Sequence, residues 1–144
     1  MKKKILIVTA NYYSKISDNL LDGALKYLNK TYNLNISNGG VVVTEVPGVF
    51  EIPVSIVTRI KKYDGFIALG CVIKGQTPHF DFISQASTNA IMDISVSQKK
   101  PIGNGVITCL NMKQAKVRKN KGAEAASAVI SILSQKWKHT LSQK

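Results

Sequence analysis

The stretch Leu69-Gly70-Cys71-Val72-Ile73-Lys74-Gly75-Gln76-Thr77-Pro78-His79-Phe80-Asp81-Phe82 carries residue types that can run a reaction. Thr77 reads as the N-cap of a helix and Pro78 as its first residue, a side-chain oxygen followed by a ring that fixes φ. Unpaired backbone N–H groups at such a start, backed by the positive end of the helix dipole, make a place for a phosphate or carboxylate. His79 falls in the same first turn, and an imidazole can take or give a proton near neutral pH. Elsewhere in the chain, Tyr12 offers an aromatic face to a planar ring and Glu51 offers a carboxylate to hydroxyl groups. Proton transfer on a planar, hydroxyl-bearing and anionic set of ligands is the chemistry these groups allow. Taken singly, Tyr12 also suits an interface, Phe50 a core, and Glu51 and Asp81 the first turn of a helix, where the dipole favours acids.

The elements that position these groups alternate along the chain. Lys4 to Thr9 is a continuous apolar run, the pattern of a strand covered on both faces. It ends at Ala10-Asn11-Tyr12-Tyr13. From Ile16, the positions Ile16, Leu20, Ala24, Leu25 and Leu28 form a helical stripe. Asn38-Gly39-Gly40 turns the chain into a second strand, Val41 to Val46, stopped by Pro47-Gly48. Phe50-Glu51-Ile52-Pro53 leads into a helix over Val54 to Ile60, ending at Lys61-Lys62. A third strand, Phe66 to Val72, is followed by the helix that opens at Pro78 and runs to about Gln98 with Ile83, Ala86, Ala90 and Ile94 inward. Ile102 to Cys109 is the fourth strand, and Gly103 and Gly105 in it imply close approach by another backbone or a ligand. Helices over Met112 to Val117 and from Lys121 to about His139 complete the order. Strictly alternating strands and helices predict one domain over residues 1–144, a three-layer α/β/α sandwich on a four-stranded parallel sheet. Ligands of such sheets bind beyond the carboxyl ends of the strands. That rule gathers Asn11 to Tyr13, Val49 to Glu51, Cys71 to His79 and the segment after the fourth strand.

At 144 residues with 44% hydrophobic content, the chain can bury one substantial core. No apolar run reaches the roughly 18 residues of a membrane span, and Ile5 to Ala10 is too short for the core of a signal peptide, so a soluble, cytoplasmic protein is expected. Cys71 and Cys109 form no CxxC pair and read as buried thiols; with two histidines in the chain, no metal centre is expected. The net charge of +12 is concentrated by Lys113, Lys116, Arg118, Lys119, Lys121, Lys136, Lys138 and Lys144, against Glu124 alone. Such a field attracts nucleic acid or an anionic substrate. Aromatics are not interleaved among the cations, so a solvated lysine-rich surface is favoured over a nucleic-acid interface.

Three segments resemble a known family: Val46-Pro47-Gly48-Val49-Phe50-Glu51-Ile52-Pro53, Leu69 to Asp81, and Asn120-Lys121-Gly122-Ala123-Glu124-Ala125-Ala126. They are similar, in order and spacing, to the signature segments of 6,7-dimethyl-8-ribityllumazine synthases. The resemblance implies a flavodoxin-like fold and condensation of 5-amino-6-(D-ribitylamino)uracil with 3,4-dihydroxy-2-butanone 4-phosphate, releasing phosphate and water, with no cofactor. It also implies roles by position. Tyr12 stacks on the pyrimidine, Val49, Phe50 and Glu51 hold the ribityl chain, and Cys71, Val72 and Ile73 present backbone groups to the ring. Gly75, Gln76 and Thr77 line the phosphate end, Arg118 pairs with the phosphate, Glu124 orients Arg118, and His79 transfers protons. Asn11, Gln76 and Asn104 depart from the family, which often has a base, an acid and an aromatic there; Asn104 keeps its place in the substrate-binding set. The loop after Arg118 is shorter than in many members, which leaves Lys119 and Lys121 as alternative phosphate cations.

The resemblance further implies a homo-oligomer, a ring of five with active sites shared between neighbours. The short segment ahead of the first strand and the missing insertion before Asn120 favour a pentamer, or two face to face, over an icosahedral shell. Partners are then small-molecule substrates and copies of the chain, with neither nucleic acid nor membrane. A flavodoxin-like protein that binds flavin or an anion without turnover, and a basic nucleic-acid-binding module, are the alternative functions.

Overall fold

The computed structural model describes residues 3–135. Strands β1 (Ile5–Ala10), β2 (Val41–Val46), β3 (Gly65–Ile73) and β4 (Ile102–Cys109) make one sheet in the order β2-β1-β3-β4, with every neighbouring pair parallel. Helices α1 (Ser14–Tyr32) and α5 (Lys121–Leu133) pack on one face. A 3-10 turn at Val49–Glu51, α2 (Ile52–Val57) and α3 (His79–Gln98) pack on the other. The short α4 (Met112–Val117) follows β4. This is the three-layer, flavodoxin-like α/β/α sandwich expected from the alternation.

The continuous apolar runs mark the two central strands. All six residues of β1 and the first eight of β3 are buried, because each face of the sheet is covered there. Ile5, Ile7, Ile67 and Leu69 point toward α1 and α5, while Leu6, Val8, Phe66 and Ala68 point toward α2 and α3. The edge strands differ. Val42 and Glu45 of β2 are exposed, and β4 alternates buried with half-exposed or exposed positions.

Two glycines of β4 and one of α5 set how closely the layers meet. A Cβ on Gly103 would stand 2.2 Å from the Ala125 carbonyl oxygen, and one on Gly122 would stand 2.0 Å from that of Leu20. Gly105 leaves room for the Leu69 side chain, which a Cβ would approach to 2.6 Å. The close approach foreseen for Gly103 is thus made by backbone and is not a ligand site.

At the amino ends of the strands a polar clasp joins three entry segments. The Lys4 N–H donates to Asp64 Oδ2 at 2.8 Å, and Lys100 Nζ donates to the carbonyls of Ile60 at 2.6 Å and Tyr63 at 2.9 Å. Asparagines build the turn ahead of β2. Asn38 Oδ1 accepts from the N–H groups of Asn35 and Gly40, its Nδ2 donates to the Asn33 carbonyl, and Asn35 Nδ2 donates to Asn29 Oδ1.

Several element bounds differ from expectation for local reasons. Helix α2 begins earlier and stops at Val57, since the 3-10 turn leads the chain in and Thr58 Oγ1 and Arg59 Nη1 both bond to the Ser55 carbonyl beyond its end. Pro78 caps α3 at ψ 4°, one residue later than the Thr77 start, and the Thr77 hydroxyl accepts from the His79 N–H at a long 3.4 Å. Helix α5 is described to Leu133; its expected continuation to His139 lies largely outside the described residues. Ile83 and Ile94 of α3 face the core as expected, joined by Phe80, Ser87 and Ile91; of the expected stripe, Ala90 is half-buried and only Ala86 is exposed. Phe82, Met92 and Val96 remain more than 60% exposed on its other side. Among the described residues, no helix is long and apolar enough to cross a membrane.

Because the Gly103 position is filled by the Ala125 carbonyl, Gly103→Ala is expected to destabilise the fold by about 1–3 kcal/mol, the usual cost of overpacking. The urea midpoint measures it; an unchanged midpoint would show that α5 can stand off without cost.

Candidate active site

A cleft of about 630 Å³ opens at the carboxyl ends of β1 and β3. Tyr12 and Tyr13 line it from the segment after β1, Gly48 to Glu51 from the 3-10 turn after β2, Cys71 to Ile73 from the end of β3, and His79 and Ile83 from the first turns of α3. The strand-end rule accounts for its place: the crossovers to α1 and α3 leave the neighbouring strands β1 and β3 toward opposite faces of the sheet, and the crevice lies between them.

Each wall is held by its own local structure. Tyr12 is 76% exposed and meets Tyr13 edge to face, with ring centroids 4.9 Å apart and planes at 85°. Glu51 closes the 3-10 turn, its Oε1 accepting the Gly48 N–H at 3.0 Å, so Oε2 is the oxygen left for a ligand hydroxyl. The backbone of Cys71 to Ile73 runs past the end of the β1 ladder at Leu69 and is fixed on its other side by pairing with Ile107 to Cys109. His79 stands exposed at the head of α3, with Ile83 one turn on along the same helix face. Gly75, Gln76 and Thr77 form the exposed loop between Ile73 and His79, and no atom lies within 4 Å of a Cβ built on Gly75.

The remaining expected residues lie elsewhere. Arg118 and Glu124 line a separate cavity of about 480 Å³ between β4 and the start of α5, together with Thr108, Asn120 and Lys121. Arg118 Nη1 donates to the Thr108 carbonyl at 3.3 Å, and the carboxylate of Glu124, read as steadying Arg118, has Lys121 Nζ at 3.8 Å one turn away. Asn104 sits mid-strand on β4, its Oδ1 accepting the Val106 N–H at 3.0 Å and so capping an open sheet edge. Within one chain, therefore, Tyr12, Glu51 and His79 share a cleft, and Arg118 and Lys121 line a different cavity. Gly48 and Ile83 were not foreseen as lining residues. The signal for Ile83 was its i+4 spacing from His79; for Gly48 it was the Glu51 cap.

Both cysteines are free thiols and buried. Burial, with Cys109 as neighbour, pushes the Cys71 thiol up to about 12. Burial raises Cys109 also, against the opposing pull of Arg118 and Cys71. Neither is a thiolate nucleophile at neutral pH. Among the described residues, no three His, Cys, Asp or Glu side chains gather as a metal site.

The sequence profile described as 6,7-dimethyl-8-ribityllumazine synthase matches residues 2–136. The chain belongs to the 6,7-dimethyl-8-ribityllumazine synthase family. It is 43% identical to the 6,7-dimethyl-8-ribityllumazine synthase of Bartonella bacilliformis, over 92% of this chain and 89% of that protein. The synthase of Agrobacterium fabrum is 40% identical, over 95% of this chain and 97% of its own length, and that of Buchnera aphidicola is 40% identical over 92% and 86%. Membership places the chain in a family of riboflavin-biosynthesis transferases.

The raised thiol has a consequence for stability. An unfolded Cys71 ionises near its ordinary 9.0, while the folded one keeps its proton to about 12, so the fold loses stability as pH rises through that window. Cys71→Ala is expected to flatten this part of the profile, checked by urea midpoints taken on both sides of pH 9; identical slopes in the two proteins would contradict the buried-thiol assignment.

Proposed function

We propose that this family member condenses 5-amino-6-(D-ribitylamino)uracil with 3,4-dihydroxy-2-butanone 4-phosphate to give 6,7-dimethyl-8-ribityllumazine, phosphate and water, in the cytoplasm and without a cofactor. The observation that carries the reading is the single cleft that gathers Tyr12, Glu51, the Cys71–Ile73 strand end and His79 in a chain of this family. Tyr12 stacks on the pyrimidine, and the Glu51 oxygen left free by its turn accepts from ribityl hydroxyls. Backbone groups of Cys71, Val72 and Ile73 meet the ring, beside Val49 and Phe50. The exposed Gly75–Thr77 loop and the N–H groups at the head of α3 hold the phosphate.

His79 is the proton-transfer group. Attack of the pyrimidine amine on the ketone gives a carbinolamine, and its dehydration to an imine moves protons that an imidazole at the cleft wall can carry. Loss of phosphate leaves negative charge, which helix N–H groups and a guanidinium stabilise. Holding the two small substrates together supplies much of the remaining acceleration.

The guanidinium comes from a second copy. Arg118 lines a cavity that shares no residue with the cleft, and Phe50, Val54, Val57, Phe82, Met92 and Val96 leave the α2–α3 side apolar and exposed. Head-to-tail contact that buries this side and brings the Arg118 cavity of one copy to the cleft of the next closes naturally into a ring. A pentamer, or a pair of them, is the assembly this reading takes.

Kinetic and assembly measurements test it. Mixing the purified protein with both substrates is expected to produce the absorbance of the lumazine, and His79→Ala to lower turnover by about 10–100-fold or more. Flavin binding or salt-sensitive duplex binding with no product would replace the reading. Arg118→Ala is expected to raise KM for the butanone phosphate far more than for the pyrimidine, because the phosphate loses a bidentate partner; the same selective loss in Lys119→Ala or Lys121→Ala, with none in Arg118→Ala, moves the role. Co-assembling His79→Ala with Arg118→Ala chains is expected to restore part of the activity, since some sites then receive an intact residue from each copy. Co-assembly without recovery, or a monomer in light scattering that still turns over, contradicts the shared site.

A further inference from the structure

We propose that Tyr13 is a positioning residue for the planar substrate, its ring holding that of Tyr12 in the orientation that meets the pyrimidine; the inference rests on the reading of the cleft given above. Tyr12 is the most exposed large hydrophobic side chain among the described residues, at 76%, and its side-chain freedom would have to be lost on stacking. Tyr13 removes part of that freedom beforehand. The two rings meet edge to face at 4.9 Å and 85°, and in such a pair the plane of one ring fixes the plane of the other while leaving a face open.

Tyr13 can do this because it is itself held. Its side chain is half-buried against the α1 side of the core, and its backbone caps α1, the carbonyl accepting the Ser17 N–H at 3.0 Å. The Ser17 hydroxyl in turn donates to the Ala10 carbonyl, tying the first turn of α1 to the end of β1. Tyr13 lines the cleft together with Cys71 of the β3 end, and burial, with Tyr12 and Cys71 as neighbours, raises its phenol above its ordinary value, which keeps it neutral throughout the working range. A neutral, half-buried ring in the cleft wall is a fixed support against which the exposed ring next to it can rest. Pre-orientation of this kind favours the substrate that stacks and does nothing for the one that does not.

The test separates orientation from mere support of the fold. Tyr13→Ala is expected to raise KM for 5-amino-6-(D-ribitylamino)uracil by about 2–10-fold, the factor an edge-to-face pair contributes. KM for the butanone phosphate should stay unchanged, and Tyr13→Phe should restore the native value. In a Tyr12→Ala background, Tyr13→Ala should add no further loss, as expected of two residues acting as one unit. An unchanged pyrimidine KM in a folded Tyr13→Ala protein overturns the proposal. So does a Phe variant as impaired as the Ala variant, which would assign the effect to the hydroxyl, and so does an equal loss without Tyr12. Absence of turnover in the unsubstituted protein would sink the proposed reaction instead; calorimetric titration with the same aminouracil then decides Tyr13 independently.

Discussion

The contact on which the other contacts rest is one of backbone with backbone, where the Ala125 carbonyl of α5 fills the space that a side chain on Gly103 of β4 would occupy. It lets α5 lie flat on the sheet. From there Gly122 can press against the Leu20 carbonyl of α1, so that two helices and two strands lock as one layer. If α5 stood farther off, Ile67, Leu69 and Cys71 would lose the Ala125, Ala126 and Val129 side chains that cover them with α1. The cavity holding Arg118 and Lys121 would change shape as well, since one wall is β4 and the other is the first turns of α5. Packing at this seam therefore reaches both the core and the cations.

The second layer is organised around turns. The carboxylate of Glu51 satisfies the Gly48 N–H, bringing Val49 and Ile52 down onto the sheet while turning Phe50 outward. At the opposite end of the same sheet, Lys100 draws the carbonyls of Ile60 and Tyr63 together, and the Lys4 N–H pairs with Asp64 across the strand entries. The amino ends are thereby closed by hydrogen bonds, and the carboxyl ends are left open. An open end above two fully buried strands is where the chain can offer backbone groups to a ligand without exposing its core.

Much of this was legible in the sequence, for a physical reason: a strand buried on both faces is almost wholly apolar, so Ile5 to Ala10, with Thr9 its one polar residue, and Phe66 to Val72 announce themselves. The adjacent groups of the cleft were legible too, because the fold rule places whatever follows a strand at its carboxyl end. Edges were less so. The valines of β2 look as central as the isoleucines of β1, and only the pairing order shows that β2 has one neighbour. In α3 periodicity placed Ile83 and Ile94 rightly and Ala86 wrongly, because apolar residues run along two sides of that helix and spacing alone does not mark the exact line that meets its own sheet. The separation of Arg118 from His79 was also hidden, since residues that follow β4 obey the same strand-end rule yet emerge two strands away from β1. Spacing along a chain tells which end of the sheet a residue occupies, and topology tells how far along that end.

The asparagine turn ahead of β2 bears on the register of that strand. Val41, Val42 and Val43 present nearly the same side chain to both faces, and both faces of the edge are partly open, so a shift by one residue would cost the valines little. The same shift would exchange Glu45 with a neighbour and carry its carboxylate to the opposite face, away from the Asn11 amide that now lies 3.5 Å from it. Hydrophobicity does not forbid that slip, whereas the amide groups do. Asn38 bonds the N–H of Gly40, the Gly40 carbonyl accepts from Ile5, and Val41 donates to Asn35, so the first rung of the ladder is set before any valine is placed. The alignment of an ambiguous strand is thus decided outside the strand, by the amide side chains of Asn29, Asn35 and Asn38 acting as its ruler.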